Sequence, residues 1–281
     1  MEKDYVQLMP REIREGFWPR AKFLSREEQV RYEEAVKGFN SEKARKSLSI
    51  PQDGSSLLKE VLLGQLGIRT ATISELYDVW EVNPNFLSGH YEDVASGVLR
   101  SNGDSHAPND LLAKSLAKSL KEKAFKHSYV LTGLKLKEED NSQYGLVLVP
   151  KENFSYFEAP ELDHVNNQKK FLRVDEREIP ILLSDAELSQ LSDQDKNKLR
   201  TLYTREGGLS RLCVDWDSFL DSNLRSLSYS CSYGRVVVVD AEGVAPNLES
   251  CVANLNQERE KLIAGINARY KTAKAILQGR N

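Results

Sequence analysis

Four consecutive valines, Val236 to Val239, run into Asp240-Ala241-Glu242-Gly243, the string in this chain that looks most like a reaction centre. Side chains alternate along a strand, so Asp240 and Glu242 share one face at its carboxyl end. Carboxylates placed there are common ligands of a divalent cation that activates water for phosphoester hydrolysis. Asp215 and Asp217, on either side of Trp216, repeat the same i, i+2 geometry. Brought together, the two pairs would make a Mg²⁺- or Mn²⁺-dependent phosphoester hydrolase or nuclease. The simpler reading of the same letters is a strand that turns into solvent through Glu242-Gly243, and a polar strand end before Phe219-Leu220.

A second kind of chemistry is electrostatic contact. Between Asn109 and His127, Lys114, Lys118, Lys121, Lys123 and Lys126 face only Asp110 and Glu122. On a helix Lys114, Lys118 and Lys121 fall at i, i+4 and i+7, a basic stripe suited to a phosphate backbone or an acidic protein surface. Solvated lysine is the commonplace alternative, and no aromatic residues are interleaved between Lys114 and Lys121 to stack on bases.

Two fragments resemble known motifs. Asp240 to Glu242, behind its valines, is similar to the first motif of the DEDD exonucleases, which implies further aspartates and a His or Tyr downstream. No Asp and no His follows position 242, so the order does not fit. Leu66 to Leu76, within a stretch of about 25 residues, resembles the turn and second helix of a bacterial helix-turn-helix. That resemblance implies Gly67 as the left-handed turn residue, Ile68 and Ile73 packed between two helices, Thr72 to Asp78 as the recognition helix and Arg69 as a contact. Leu63 stands where such helices keep a small residue. From Ser55 to Val82, Lys59 and Arg69 are outnumbered by Glu60, Glu75, Asp78 and Glu81, an acidic balance unsuited to phosphate.

Other classes have no support. His90, His106, His127 and His164 show no metal-binding spacing, and the chain has no GxSxG, GxxxxGK[ST] or GxGxxG string. Cys213, Cys231 and Cys251 suit neither a disulfide framework nor a zinc site, which points to reduced thiols and a cytoplasmic protein. With 39 basic against 42 acidic side chains there is no whole-molecule field to gather polyanions. The charged amino terminus is no signal peptide, and Tyr144 to Val149 is too short to cross a bilayer.

The elements that must carry these residues read as follows. Residues 1–127 form a helical region: Ser25 with Glu28 and Thr72 with Glu75 are capping boxes, and Tyr32, Ala35, Val36 and Phe39 make an apolar stripe. Residues 128–247 read as an α+β region. Val130, Thr132, Leu134 and Leu136 alternate with polar neighbours, strands are expected at Lys170 to Val174 and Ile179 to Leu183, and Ser184 and Ser192 cap a helical stretch up to Tyr203. Leu227, Tyr229, Cys231 and Tyr233 suggest a half-exposed strand, and Val236 to Val239 a buried one. Residues 248–281 continue a helix that begins at Asn247, with Leu248, Val252, Leu255, Leu262 and Ile266 on the stripe packed against the body. The expected class is α+β, with a helical N-terminal region, a mixed, largely antiparallel β region and a long C-terminal helix. The expected function is non-enzymatic binding of a macromolecule, a protein partner or nucleic acid, with no cofactor and no membrane. The metal-dependent hydrolase is the alternative.

Overall fold

Local signals set the first helices. In this computed structural model, which describes residues 21–239 apart from 51–53, 83–85, 101–109, 122–124, 165–167, 176, 206, 216–218, 224–225 and 231–232, a short strand β1 (Ala21–Phe23) precedes helix α1 (Arg26–Lys37). The Ser25 hydroxyl accepts from Glu28 N at 3.2 Å while the Glu28 carboxylate accepts from Ser25 N at 2.8 Å, the reciprocal box read from the sequence. Helix α2 (Glu42–Leu48) is capped by Ser41 and α3 (Leu57–Gln65) by Ser56. Thr72 and Glu75 exchange the same pair of bonds, at 3.0 and 3.3 Å, where α4 (Ile73–Val82) begins.

Strands β2 (Glu92–Arg100), β3 (Tyr129–Glu138), β4 (Leu146–Glu158), β5 (Lys169–Val174), β6 (Pro180–Leu182), β7 (Arg200–Tyr203), β8 (Gly208–Val214) and β9 (Leu220–Asp221) build one eight-stranded sheet, in the order β4-β3-β2-β8-β9-β7-β5-β6. Every pairing in it is antiparallel except β7 with β9. Helix α5 (Asp110–Leu120) lies between β2 and β3 in the chain, and the short α6 (Asp185–Gln190) and α7 (Asp193–Lys196) between β6 and β7. Strand β10 (Val237–Val239) pairs with β1 in a separate two-stranded ribbon. The class is α+β, as the pattern predicts. Among the described residues no helix is long and apolar enough to cross a membrane.

Two cores lie on opposite faces of the sheet. Leu99, Leu131 and Leu209 join Leu57, Leu58 and Leu62 of α3 and Leu112 and Leu116 of α5 on one face. Val98, Val130 and Leu212 join Ile73, Leu76 and Tyr77 of α4 on the other, with Phe171, Leu202 and Leu220 from the far strands. Neighbours in sequence, Val98 with Leu99 and Val130 with Leu131, thus divide between the cores as the pleat requires.

Gly133 breaks that rule. Its φ is +66°, and a Cβ there would lie 2.5 Å from the Asn153 carbonyl oxygen, so only glycine fits. The β3–β4 register jumps at this point, from Thr132↔Ser155 to Leu134↔Pro150. Past the bulge the parity of β3 inverts, and Leu134 and Leu136 enter the core of Leu131 rather than that of Val130. The single alternating series expected from Val130 to Leu136 is therefore two half-series facing opposite ways.

Three further expectations are corrected. The helical reading of residues 1–127 fails at Glu92–Arg100, which is a central strand. Buried on both faces and carrying Ala95, Ser96 and Gly97, it shows no period of two. The helical stretch expected up to Tyr203 ends at Lys196, and Arg200–Tyr203 is a strand. Residues 226–230 are turn and irregular chain instead of a strand. The long helix from Asn247 lies outside the described residues.

Candidate functional site

Charged side chains in a sequence stretch that otherwise reads as core mark the most unusual place in the molecule. Lys59 and Glu60 sit inside the apolar run Leu57–Leu63 of α3, and Glu92 and Asp93 open β2. With Arg211 of β8 they form a group in which each residue is no more than 1% exposed. Burying ions costs several kcal/mol each unless partners offset it, so the partners decide the state of the group.

Arg211 and Asp93 pair directly, Nε to Oδ1 at 3.2 Å. Arg211 also donates from Nη1 to the Tyr229 carbonyl at 2.5 Å, with its guanidinium over the Tyr91 and Tyr229 rings. Ser55 Oγ accepts from Asp93 N at 2.7 Å, and its one proton points to Asp93 Oδ2 at 3.0 Å or to Glu60 Oε1 at 3.4 Å. Glu92 Oε1 accepts from Val237 N of β10 at 2.8 Å. The Lys59 ammonium lies 5.1 Å from the centroid of the Tyr32 ring. Glu60 Oε2 and Glu92 Oε2 have no hydrogen-bond partner among the described residues.

Two cations face three acids here, so full ionisation would leave an uncompensated negative charge in the interior. Burial, reinforced by Asp93, pushes the Glu60 carboxyl up to about 8 against the pull of Lys59. Glu92 is pushed well above the usual carboxylate range by burial and by Glu60. Burial raises Asp93 only to about 6, because Arg211 and Ser55 favour its charge. The Asp93–Arg211 pair thus favours its charged form, while Glu60 and Glu92 are each shifted toward the neutral acid, with Lys59 the cation that opposes the shift. Among the described residues no three or more His, Cys, Asp or Glu side chains are grouped so as to hold a metal ion.

Two smaller polar arrangements anchor strands. His127 Nδ1 lies 2.8 Å from Asp163 Oδ2, while Asp163 Oδ1 accepts from both N and Oγ of Ser128 at 2.7 Å. Burial would raise the Asp163 carboxyl, but these bonds outweigh it and hold the group below its ordinary value. Arg100, at the end of β2, donates to the Leu162 carbonyl at 3.2 Å and to the hydroxyls of Ser210 and Ser222 at 2.7 Å each. Its guanidinium is buried and fully engaged in structure.

The residues singled out from the sequence fare differently. Lys114 and Lys118 are exposed on α5, whose Leu112, Ala113 and Leu116 are buried; the helix expected to run to Lys126 ends at Leu120, so Lys121, exposed too, lies past it at φ +57°. Among the described residues no carboxylate pairs with any of the three. Arg69 forms an ion pair with Glu75, so its charge is used at the start of α4. Asp215 is half-buried, and its backbone N donates to the Phe219 carbonyl at 2.8 Å. Asp217, Asp240 and Glu242 lie outside the described residues.

The helix-turn-helix resemblance does not survive in three dimensions. Gly67 takes the left-handed conformation, φ +75°, but Ile68 belongs to the core under α3 and Ile73 to the core on the opposite sheet face. Between them Thr70 bridges to Val238, and the Ala71 amide donates to the Val237 carbonyl at 2.9 Å. The two helices pack into different cores rather than sharing the apolar contacts that the motif implies.

Sequence reasoning passed over the buried charge group, although it left a trace. Lys59-Glu60 and Glu92-Asp93 occupy positions that the surrounding pattern reserves for apolar side chains. No protein family model, curated protein or solved structure matches this chain.

Proposed function

We propose that the protein works without catalysis, by binding an acidic macromolecular surface through the lysine stripe of α5. The observation that carries this reading is the division of one helix. Its apolar side is sealed into the core beside β4, Lys114 and Lys118 stand exposed on it four residues apart, and Lys121 follows the helix end at φ +57°, exposed as well, with no carboxylate beside the three among the described residues. From Lys114 to the end of α5 the helix covers about 9 Å, enough to meet several charges on an acidic protein face or a phosphate backbone. An intracellular setting suits the unpaired, buried thiol of Cys213.

The test is fluorescence anisotropy at low salt with two probes, an acidic peptide and a duplex oligonucleotide. At least one should bind, and weaken as salt rises with a slope of about 2–3 on a log–log plot, in keeping with three released counterions. K114Q/K118Q/K121Q should abolish that binding without changing the fold, since all three side chains lie in solvent. Binding by neither probe, or binding that persists in the triple variant, overturns the reading. A rise in Tm on adding Mn²⁺, lost in D240N/E242Q, would instead promote the metal-dependent hydrolase.

A further inference from the structure

We propose that the acidic surface met by the lysine stripe of α5 is the α6–α7 excursion of a second copy of this chain, so that the protein associates with itself. The inference rests on the reading of the stripe as a docking face and names its occupant.

The excursion between β6 and β7 has no core of its own. Neither α6, six residues long, nor α7, four, contains a buried side chain. Helices so short are not stable in water by propensity alone. Local bonds support them instead. Ser184 Oγ accepts from Glu187 N at 3.3 Å while the Glu187 carboxylate accepts from Ser184 N at 2.8 Å, and Ser192 Oγ accepts from Asp195 N at 3.1 Å. Caps of this kind fix the shape of a segment that buries nothing, which lowers the entropy lost when a partner settles on it. Apolar side chains here are incompletely covered. Leu183, Leu188 and Leu191 are half-buried, and Ile181 of the adjoining β6 is 41% exposed.

The charge of the excursion matches the stripe. From Ser184 to Leu199, Asp185, Glu187, Asp193 and Asp195 stand against Lys196 and Lys198. Asp185 and Asp193 are exposed, and the ion pair of Asp193 is with Lys196 of its own helix, at 3.5 Å. Glu187 and Asp195 bond to the serines that cap their helices, bonds that leave both carboxylates charged. Within one chain the two surfaces do not neutralise each other, since among the described residues no carboxylate pairs with Lys114, Lys118 or Lys121. The match is left for contact between molecules. Helix α1 is a poorer fit, because its exposed Glu27, Glu33 and Glu34 are interspersed with exposed Arg26, Arg31 and Lys37, and its own apolar side is committed to the core.

Charge reversal on the full chain tests the pairing. Sedimentation velocity from about 10 to 500 µM should show a coefficient that rises with concentration at low salt. That rise should vanish at about 500 mM salt, where exposed charges are screened within a few ångströms. K114E/K118E/K121E and D185K/D193K should each sediment as a monomer throughout, because each carries a single sign on both surfaces. Their equimolar mixture should associate again, as reversed stripe meets reversed excursion and native meets native. A wild-type chain that stays monomeric at low salt overturns the inference, as does association retained by either variant alone or a mixture that stays monomeric. All five substituted side chains are exposed, so the fold should hold by circular dichroism. Should a variant fail to fold, carbodiimide coupling of the wild-type chain decides. Amide cross-links from Lys114, Lys118 or Lys121 of a ¹⁵N-labelled chain to Asp185, Glu187, Asp193 or Asp195 of an unlabelled one support the pairing, and their absence overturns it. The role of the stripe is judged separately by the peptide and oligonucleotide probes. A probe bound by a chain that never self-associates removes the second copy as occupant and leaves the stripe a docking face; no probe bound and no self-association removes both.

Discussion

Arg211 shows what a single buried side chain must do here. Its guanidinium meets Asp93, the Tyr229 carbonyl and two aromatic rings at 1% exposure. Burial works against its charge, yet Asp93, together with smaller contributions from Cys213 and Tyr91, outweighs it and raises its pKa. Arg211→Met should therefore destabilise by about 3–5 kcal/mol in urea denaturation, because Asp93 is left buried and unpaired. Adding Asp93→Asn should recover part of the loss, whereas two independent effects would add. A single variant within 1 kcal/mol of wild type would show that the pair is not held as described. Lys118, equally basic, is the contrast: it is exposed on α5, and Lys118→Gln should change stability by less than about 0.5 kcal/mol.

At the level of elements, glycine positions divide sharply by what surrounds them. Gly133→Ala faces both a positive φ and the Asn153 backbone, and should cost about 2–4 kcal/mol while disturbing the β3–β4 register. Gly64→Ala, in the middle of α3 with nothing nearer than the Lys151 ammonium at 3.8 Å, should stabilise by about 0.5–1 kcal/mol. Thermal or urea unfolding of the two variants checks both signs. Which elements were legible in the sequence follows the same logic of local against distant cause. Capping boxes at Ser25 and Thr72, the caps at Ser184 and Ser192 and the strands β5, β6 and β10 were readable, because each is set by neighbours a few residues away. Strand β2 was not, since its identity comes from β3 and β8 on its two sides. Nor was the parity change at Gly133, which depends on a carbonyl 20 residues further along. The buried acids were visible only as misfits, since nothing local says that Arg211 will meet Asp93. Lys114 and Lys118 were legible because helical spacing alone places them, whereas the helix end at Leu120, which sets Lys121 at φ +57°, was not.

For the molecule as a whole, Ala21–Val239 is one compact unit with a core on each face of its sheet. A chain limited to residues 21–239 should accordingly unfold in a single cooperative transition by circular dichroism and tryptophan fluorescence alike. Two separated transitions would mean that the cores are independent. Because β3 contributes Val130 to one core and Leu131, Leu134 and Leu136 to the other, we expect Val130→Ala and Leu134→Ala to lower the same transition by about 1–4 kcal/mol each.

The position of β2 carries a consequence for synthesis. Its Arg100 rests on Ser210 and Ser222, which stand 110 and 122 residues further on. Translation at about 5–20 residues per second delivers them on the order of ten seconds after Arg100 has left the ribosome. Throughout that wait the meander of β2, β3 and β4 offers a bare strand edge and an arginine with no place in water-free structure. A nascent chain in that condition is a natural client for a holding chaperone, and slower translation would lengthen its exposure. Yield of soluble protein should then fall when rare codons are placed between Tyr129 and Gly208, and be unaffected by the same codons after Val239.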